Sequence, residues 1–154
     1  MKYFKFLALL IAPMLILSSC KKSSSVSPAP VPVLTTPGIT FKLNGTLRKT
    51  DTISATLYSS PKQIDINAAY KNTVSNIIFV IPNIQVGTFD VVKDRITVIM
   101  FDSGTTYTLT AGTFNITTSS ATSVSGTFQL TGTDSGGAAV NITEGQFLSN
   151  VKEQ

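Results

Sequence analysis

Beyond residue 38, apolar positions recur at every second residue, and no stretch carries a sustained apolar stripe at helical spacing. ITFKLNG sets Ile39, Phe41 and Leu43 on one face against Thr40, Lys42 and Asn44 on the other. ISATLY groups Ile53, Ala55 and Leu57, and KQIDINAAY sets Ile64, Ile66, Ala68 and Tyr70 against Gln63, Asp65 and Asn67. Such alternation predicts half-buried antiparallel strands. Pro61 after Ser60 offers a competing start for a short helix.

Two segments break the rule. NIIFVIP opposes Ile77, Phe79 and Ile81 to Ile78 and Val80, and RITVIMF opposes Ile96, Val98 and Met100 to Ile99 and Phe101. Strands apolar on both faces are expected to be central and covered on each side, because exposed they would seed aggregation. A single open sheet does not supply two covers. Residues 39–154 are therefore expected to form an all-β domain, an antiparallel β-sandwich of about eight to ten short strands. A closed β-barrel is the alternative.

A glycine stands two residues before a phenylalanine four times, in VGTFDV, AGTFNI, SGTFQL and EGQFLS, at Phe89, Phe114, Phe128 and Phe147. Their irregular spacing excludes a solenoid repeat. Apolar parity changes nearby: Ile84 and Val86 give way to Phe89 and Val91, and Val140 and Ile142 to Phe147 and Val151. One extra residue at a glycine is how a β-bulge re-aims a strand, so phenylalanines entering the core after a bend are expected.

The first forty residues follow another pattern. Lys2 and Lys5 precede the apolar run FLALLIAPMLIL, which ends in Ser18 and Ser19. A basic start, about a dozen apolar residues and a small-residue exit make a secretory signal over residues 1–19. A membrane span needs about 20 apolar residues, and Pro13 interrupts this run. Leu17-Ser18-Ser19-Cys20 resembles the lipobox of bacterial lipoproteins. The resemblance implies cleavage between Ser19 and Cys20, a diacylglyceryl thioether and an acylated amino terminus on Cys20. Cys20 is the chain's single cysteine, which leaves no disulfide partner.

Residues 20–38 then read as the lipidated cysteine and a Ser/Pro-rich tether, with Pro28, Pro30, Pro32 and Pro37 favouring extended polyproline geometry. Lys21 and Lys22 suit anionic headgroups. By resemblance, Lys21 where an inner-membrane lipoprotein commonly has aspartate implies the outer membrane. The lack of acidic residues in KKSSS implies a periplasm-facing domain, with surface display as the alternative.

Charge excludes one class of partner. The chain carries 12 basic and 8 acidic residues, a net +4, but Lys2, Lys5, Lys21 and Lys22 belong to the signal and anchor. From Gly38 onward 12 − 4 = 8 basic residues balance all 8 acidic ones. No Lys/Arg cluster remains to neutralise a row of phosphates, so no nucleic-acid partner is expected.

SGTFQLTGTDSGGAAVNITEGQFLSNV is similar to the ending of a family of small uncharacterised Bacteroidetes-type lipoproteins, and FKLNGTLRKT to that family's opening, with Leu47 or Arg48 where an aromatic often stands. The resemblance implies an all-β lipoprotein domain and supplies no catalytic residue.

Candidate chemistry is sparse. Without histidine, and with its one cysteine committed to lipid, the chain lacks the usual triads, Cys/His dyads and nearly all zinc sites. VIMFDSGTT, with Asp102-Ser103-Gly104-Thr105 after an apolar strand, resembles the aspartic-protease signature, whose chemistry needs two carboxylates sharing a proton. Asp134-Ser135-Gly136-Gly137 echoes it incompletely, and the same residues suit hairpin turns. Asp90 and Asp94 flank a turn at Lys93 more plainly than they form a calcium loop. Tyr58, Tyr70 and Tyr107 are the candidates for stacking a sugar, in a chain without tryptophan. Asn44, Asn115 and Asn141 match glycosylation sequons and read as strand and turn residues. No cofactor or metal is expected. The function expected is a non-catalytic structural or binding module of the envelope, its membrane contact made through the lipid, with the protein or glycan partner unspecified. The alternatives are a barrel carrying a hydrophobic ligand, or an aspartic-protease-like enzyme using Asp102.

Overall fold

A computed structural model describes residues 34–70 and 75–154, and the segment expected to be a signal peptide (1–19), the expected lipidation site Cys20 and most of the expected tether lie outside the described residues. Ten strands and no helix are found among the described residues. They are β1 (Gly38–Leu43), β2 (Thr46–Lys49), β3 (Thr52–Ser59), β4 (Lys62–Ala69), β5 (Asn76–Pro82), β6 (Gly87–Asp90), β7 (Thr97–Asp102), β8 (Thr105–Ser119), β9 (Ser123–Asp134) and β10 (Ala139–Glu153). The competing helix at Pro61 does not form: Ser60 and Pro61, joined by a cis bond, turn the chain from β3 into β4. Two hairpins close through residues with positive φ at both turn positions, Asn44-Gly45 between β1 and β2 and Ser103-Gly104 between β7 and β8. That is the twist-compatible geometry of two-residue loops.

Of the two architectures the closed barrel is the one formed. Seven strands make the ring, in the order β10-β3-β4-β5-β7-β8-β9 and back to β10. All pairs are antiparallel except β10 with β3. β8 pairs with β7 over Thr105–Thr108 and then, further along the same edge, with β6. β10 pairs with β1 over Ile142–Leu148 and then with β3 over Val151–Glu153. All ten strands belong to one hydrogen-bonded sheet, and β8 and β10 form its corners, each exchanging one partner for another along a single edge, β7 for β6 and β1 for β3. The strands that flank the ring at the outer edges are the four-residue β2 and β6, short enough to offer little template for foreign strands.

Inward positions fill the ring. Phe41, Phe79, Phe114, Phe128 and Phe147 are all at most 2 % exposed. Phe79 stands edge-on to Phe114 and Phe128 with centroids 5.0 and 5.1 Å apart, and Phe114 stacks on Phe128 at 5.5 Å. Such geometries add stabilisation beyond area burial. Isoleucines 64, 66, 77 and 81, with Met100 and Leu130, pack round them.

The two-sided strands are central, β5 between β4 and β7, and β7 between β5 and β8. Only their inner faces are covered. Ile99 and Phe101 keep 39 and 40 % of their surface exposed, and the cross-strand neighbour Ile78 is half-buried. The expectation of two covers is corrected here. A barrel wall has one inside, and the outer apolar residues of β5 and β7 stand among Thr97, Thr106, Thr108 and Asn67.

The glycine-phenylalanine motif has a packing cause. Gly126 pairs with Phe147, and Gly145 with Phe128, across β9 and β10. A Cβ on Gly126 would lie 3.0 Å from the Phe147 ring, and one on Gly145 2.5 Å from the Phe128 ring. Each glycine clears the space that the other strand's phenylalanine occupies. The parity change in β10 is a bulge between Ile142 and Gly145, with Glu144 itself at φ 53°.

Candidate functional site

A connected polar cluster sits at the end of the barrel where β7 turns into β8. Alternation along β7 points Asp102 inward after Val98 and Met100, leaving it 8 % exposed. A buried carboxylate needs partners, and Asp102 has several. Arg48 of β2 donates from Nε to Oδ2 at 3.0 Å, and its Nη2 lies 2.9 Å from the same oxygen as an ion pair. Ser75 Oγ and Ser103 Oγ donate to Oδ1 at 3.2 and 3.1 Å, and the Ser103 amide donates to Ser75 Oγ at 3.1 Å. The β1–β2 hairpin is thereby latched across this end of the ring. Burial pushes the hydroxyl of neighbouring Tyr70 well above the ordinary phenol range; the Asp102 charge adds to this and the Arg48 charge opposes it.

The arrangement bears on each sequence candidate. Asp102 is bound by a guanidinium and two hydroxyls, whereas proton-sharing chemistry requires a second carboxylate against it. The Ser103-Gly104 pair forms a hairpin turn. Asp134 Oδ1 accepts from the Gly136 and Ala138 amides at 2.9 Å, closing the β9–β10 turn. Asp90 Oδ1 accepts from Val92 and Lys93, and Asp94 Oδ2 accepts from the Asp90 amide at 2.7 Å, so both carboxylates serve backbone groups in the β6–β7 turn. Among the described residues no cluster of metal-ligating side chains is found. Asn44 and Asn141 exchange hydrogen bonds across the β1–β10 junction, and Asn115 accepts from Thr88. The three tyrosines form no platform: Tyr107 and Tyr70 pack against the core, while Tyr58 lies at the opposite end of β3. Arg48 and Ser75, the partners that decide what Asp102 does, are 54 and 27 residues away in sequence, and no local pattern marks them.

At the other end of the ring, a cavity of about 400 Å³ opens beside the β3–β4 turn and the end of β10, lined by Leu57, Tyr58, Ser59, Lys62, Glu153 and Gln154.

Asp102→Asn keeps the shape and removes the charge that Arg48 neutralises. Leaving a partly buried guanidinium without its counter-charge costs about 1–3 kcal/mol. A lowered urea midpoint and faster amide exchange in β1 and β2 are expected, with cleavage of an unstructured peptide no different from that of the parent chain.

A filled, seven-strand barrel with a hairpin latched over one end defines the class of domain. Residues 35–150 match the domain of unknown function DUF6252, and the chain belongs to that family. No curated protein and no solved structure matches the chain.

Proposed function

We propose that the protein is a lipid-anchored, non-catalytic structural or binding module of the bacterial cell envelope. On this reading Cys20 carries the acyl chains and the tether holds the barrel off an outer membrane, facing the periplasm. The observation that carries it is the filled interior: five phenylalanine rings occupy the space in which a carrier would hold its cargo. The inward carboxylate is likewise engaged by Arg48, Ser75 and Ser103. What remains for function is the outer surface and the ends of the ring. The lipobox resemblance supports the anchor, and stable anchoring by more than one acyl chain accords with known membrane affinities.

The test combines metabolic labelling with an alkyne palmitate analogue and protease shaving. Label is expected on the parent chain and not on Cys20→Ser, and digestion of the domain only after cell lysis. Unlabelled parent protein overturns the anchor. Digestion on intact cells overturns the periplasmic orientation. Crosslinking in the envelope fraction is expected to trap a partner dependent on the folded barrel, and its failure overturns the binding-module reading.

A further inference from the structure

The cavity at the β3–β4 end is lined by one aliphatic, one aromatic and two oppositely charged side chains, Leu57, Tyr58, Lys62 and Glu153, with Ser59 and Gln154. Lys62 shares inward parity with Ile64 and Ile66 along β4, and Leu57 shares it with Ala55 along β3. Glu153 is in register with Leu57 across the parallel β10–β3 seam, and Lys62 with Ser59 across the hairpin. These side chains therefore point toward the mouth of the ring. Leu57 packs on the core and forms an apolar floor, while Tyr58, of opposite parity along β3, contributes at the outer rim of the cavity. Lys62 and Glu153 carry opposite charges on the same cavity, and neither makes an ion pair among the described residues. The cavity volume, about 400 Å³, falls in the range of small-molecule sites, and barrel mouths are a preferred place for them.

Two unpaired opposite charges over an apolar floor suit a molecule with an ammonium at one end, a carboxylate at the other and an apolar body between. We propose that this mouth binds short peptides through their free termini, the α-ammonium at Glu153 and the α-carboxylate at Lys62. The side chain of such a peptide rests on Leu57 and Tyr58. The inference deepens the binding-module reading and rests on it, while the lipid anchor has no part in it. Both charges stand near water, so the contacts are screened, and weak, salt-sensitive affinity follows.

Titration of the full chain in detergent with alanyl-leucine, followed by amide NMR, tests the site. Saturable millimolar shifts are expected at Leu57–Lys62 and at Glu153 and Gln154, weakening as salt is raised. N-acetyl-alanyl-leucine amide, which lacks both charges, is expected to bind at least tenfold more weakly. Lys62→Gln and Glu153→Gln are each expected to weaken alanyl-leucine about tenfold, and both positions are exposed, so these variants fold. Equal shifts with the blocked peptide, equal shifts with glycerophosphoethanolamine, or none at these amides overturn the peptide site. A partner trapped by crosslinking would survive such a failure, which separates it from failure of the module reading.

Discussion

Phe128→Ala is expected to destabilise the domain by about 3–5 kcal/mol, the cost of truncating a buried aromatic and leaving a cavity. Phe128 is 2 % exposed and touches four other rings, with centroids from 5.1 Å to Phe79 out to 6.4 Å to Phe147. It joins Phe41 of the latched hairpin to Phe79 of β5, so its loss empties the junction of the hairpin and the ring interior. The hole cannot collapse easily, because the walls are strands hydrogen-bonded on both edges. Against a total stability of about 5–15 kcal/mol this is a large fraction. A fall in Tm of roughly 10–20 °C is expected for a domain of this size. Phe128→Leu keeps most of the volume and is expected to cost less than half as much. Equal midpoints for Phe128→Ala and the parent chain in urea and thermal unfolding would refute the central role of this ring.

The same positions show how far the sequence carries the fold. Strand existence and face were legible, because period-two alternation in ITFKLNG and KQIDINAAY follows directly from the pleat, and Phe41, Ile64 and Ile66 are buried as that alternation requires. Asn44-Gly45 and Ser103-Gly104 were legible as turns because few residues accept positive φ. Sandwich against barrel was not legible. A sandwich and a closed ring bury the same alternating faces, and they differ in which strands pair at the corners. One corner is a three-residue parallel seam joining Leu57 to Glu153 across 153 − 57 = 96 residues, with no local signature. The inference of two covers for β5 and β7 failed for a related reason. Apolar outer residues such as Ile99 and Phe101 suggest a second layer, while a strand paired on both edges is shielded from edge-on aggregation without one. Of the candidate site, Asp102 was legible as an unusual carboxylate, and its chemistry was not, since that depends on Arg48 arriving from a strand 54 residues away.

The second corner yields the other large effect. Gly132→Ala is expected to leave the chain unable to close the ring at β8, with a loss of several kcal/mol that places it among the most damaging single-methyl additions. Gly132 of β9 pairs with Leu109 of β8, next to the register shift between Leu109 and Ala111 where β8 leaves β7 and turns toward β6. A Cβ there would overlap the Thr108 carbonyl oxygen and stand 2.7 Å from the Leu109 Cα. Both obstacles are backbone, so no side-chain rotation relieves them. Gly112, three residues beyond Leu109, meets the same obstacle from the other strand: its Cβ would overlap the Gln129 carbonyl oxygen, and its φ of 133° is itself unfavourable to an L side chain. Close backbone approach at a barrel corner is what strand glycines permit. Gly137→Ala is the control, for its Cβ would meet nothing within 4 Å. Its φ of 84° adds a local penalty of about 1 kcal/mol, confined to the β9–β10 turn. If strain at positive φ were the whole effect, Gly137→Ala would be the worse of the two, because Gly132 has no positive φ. If backbone collision dominates, Gly132→Ala loses several times more stability in urea unfolding, and amide protection collapses first along β8 and β9.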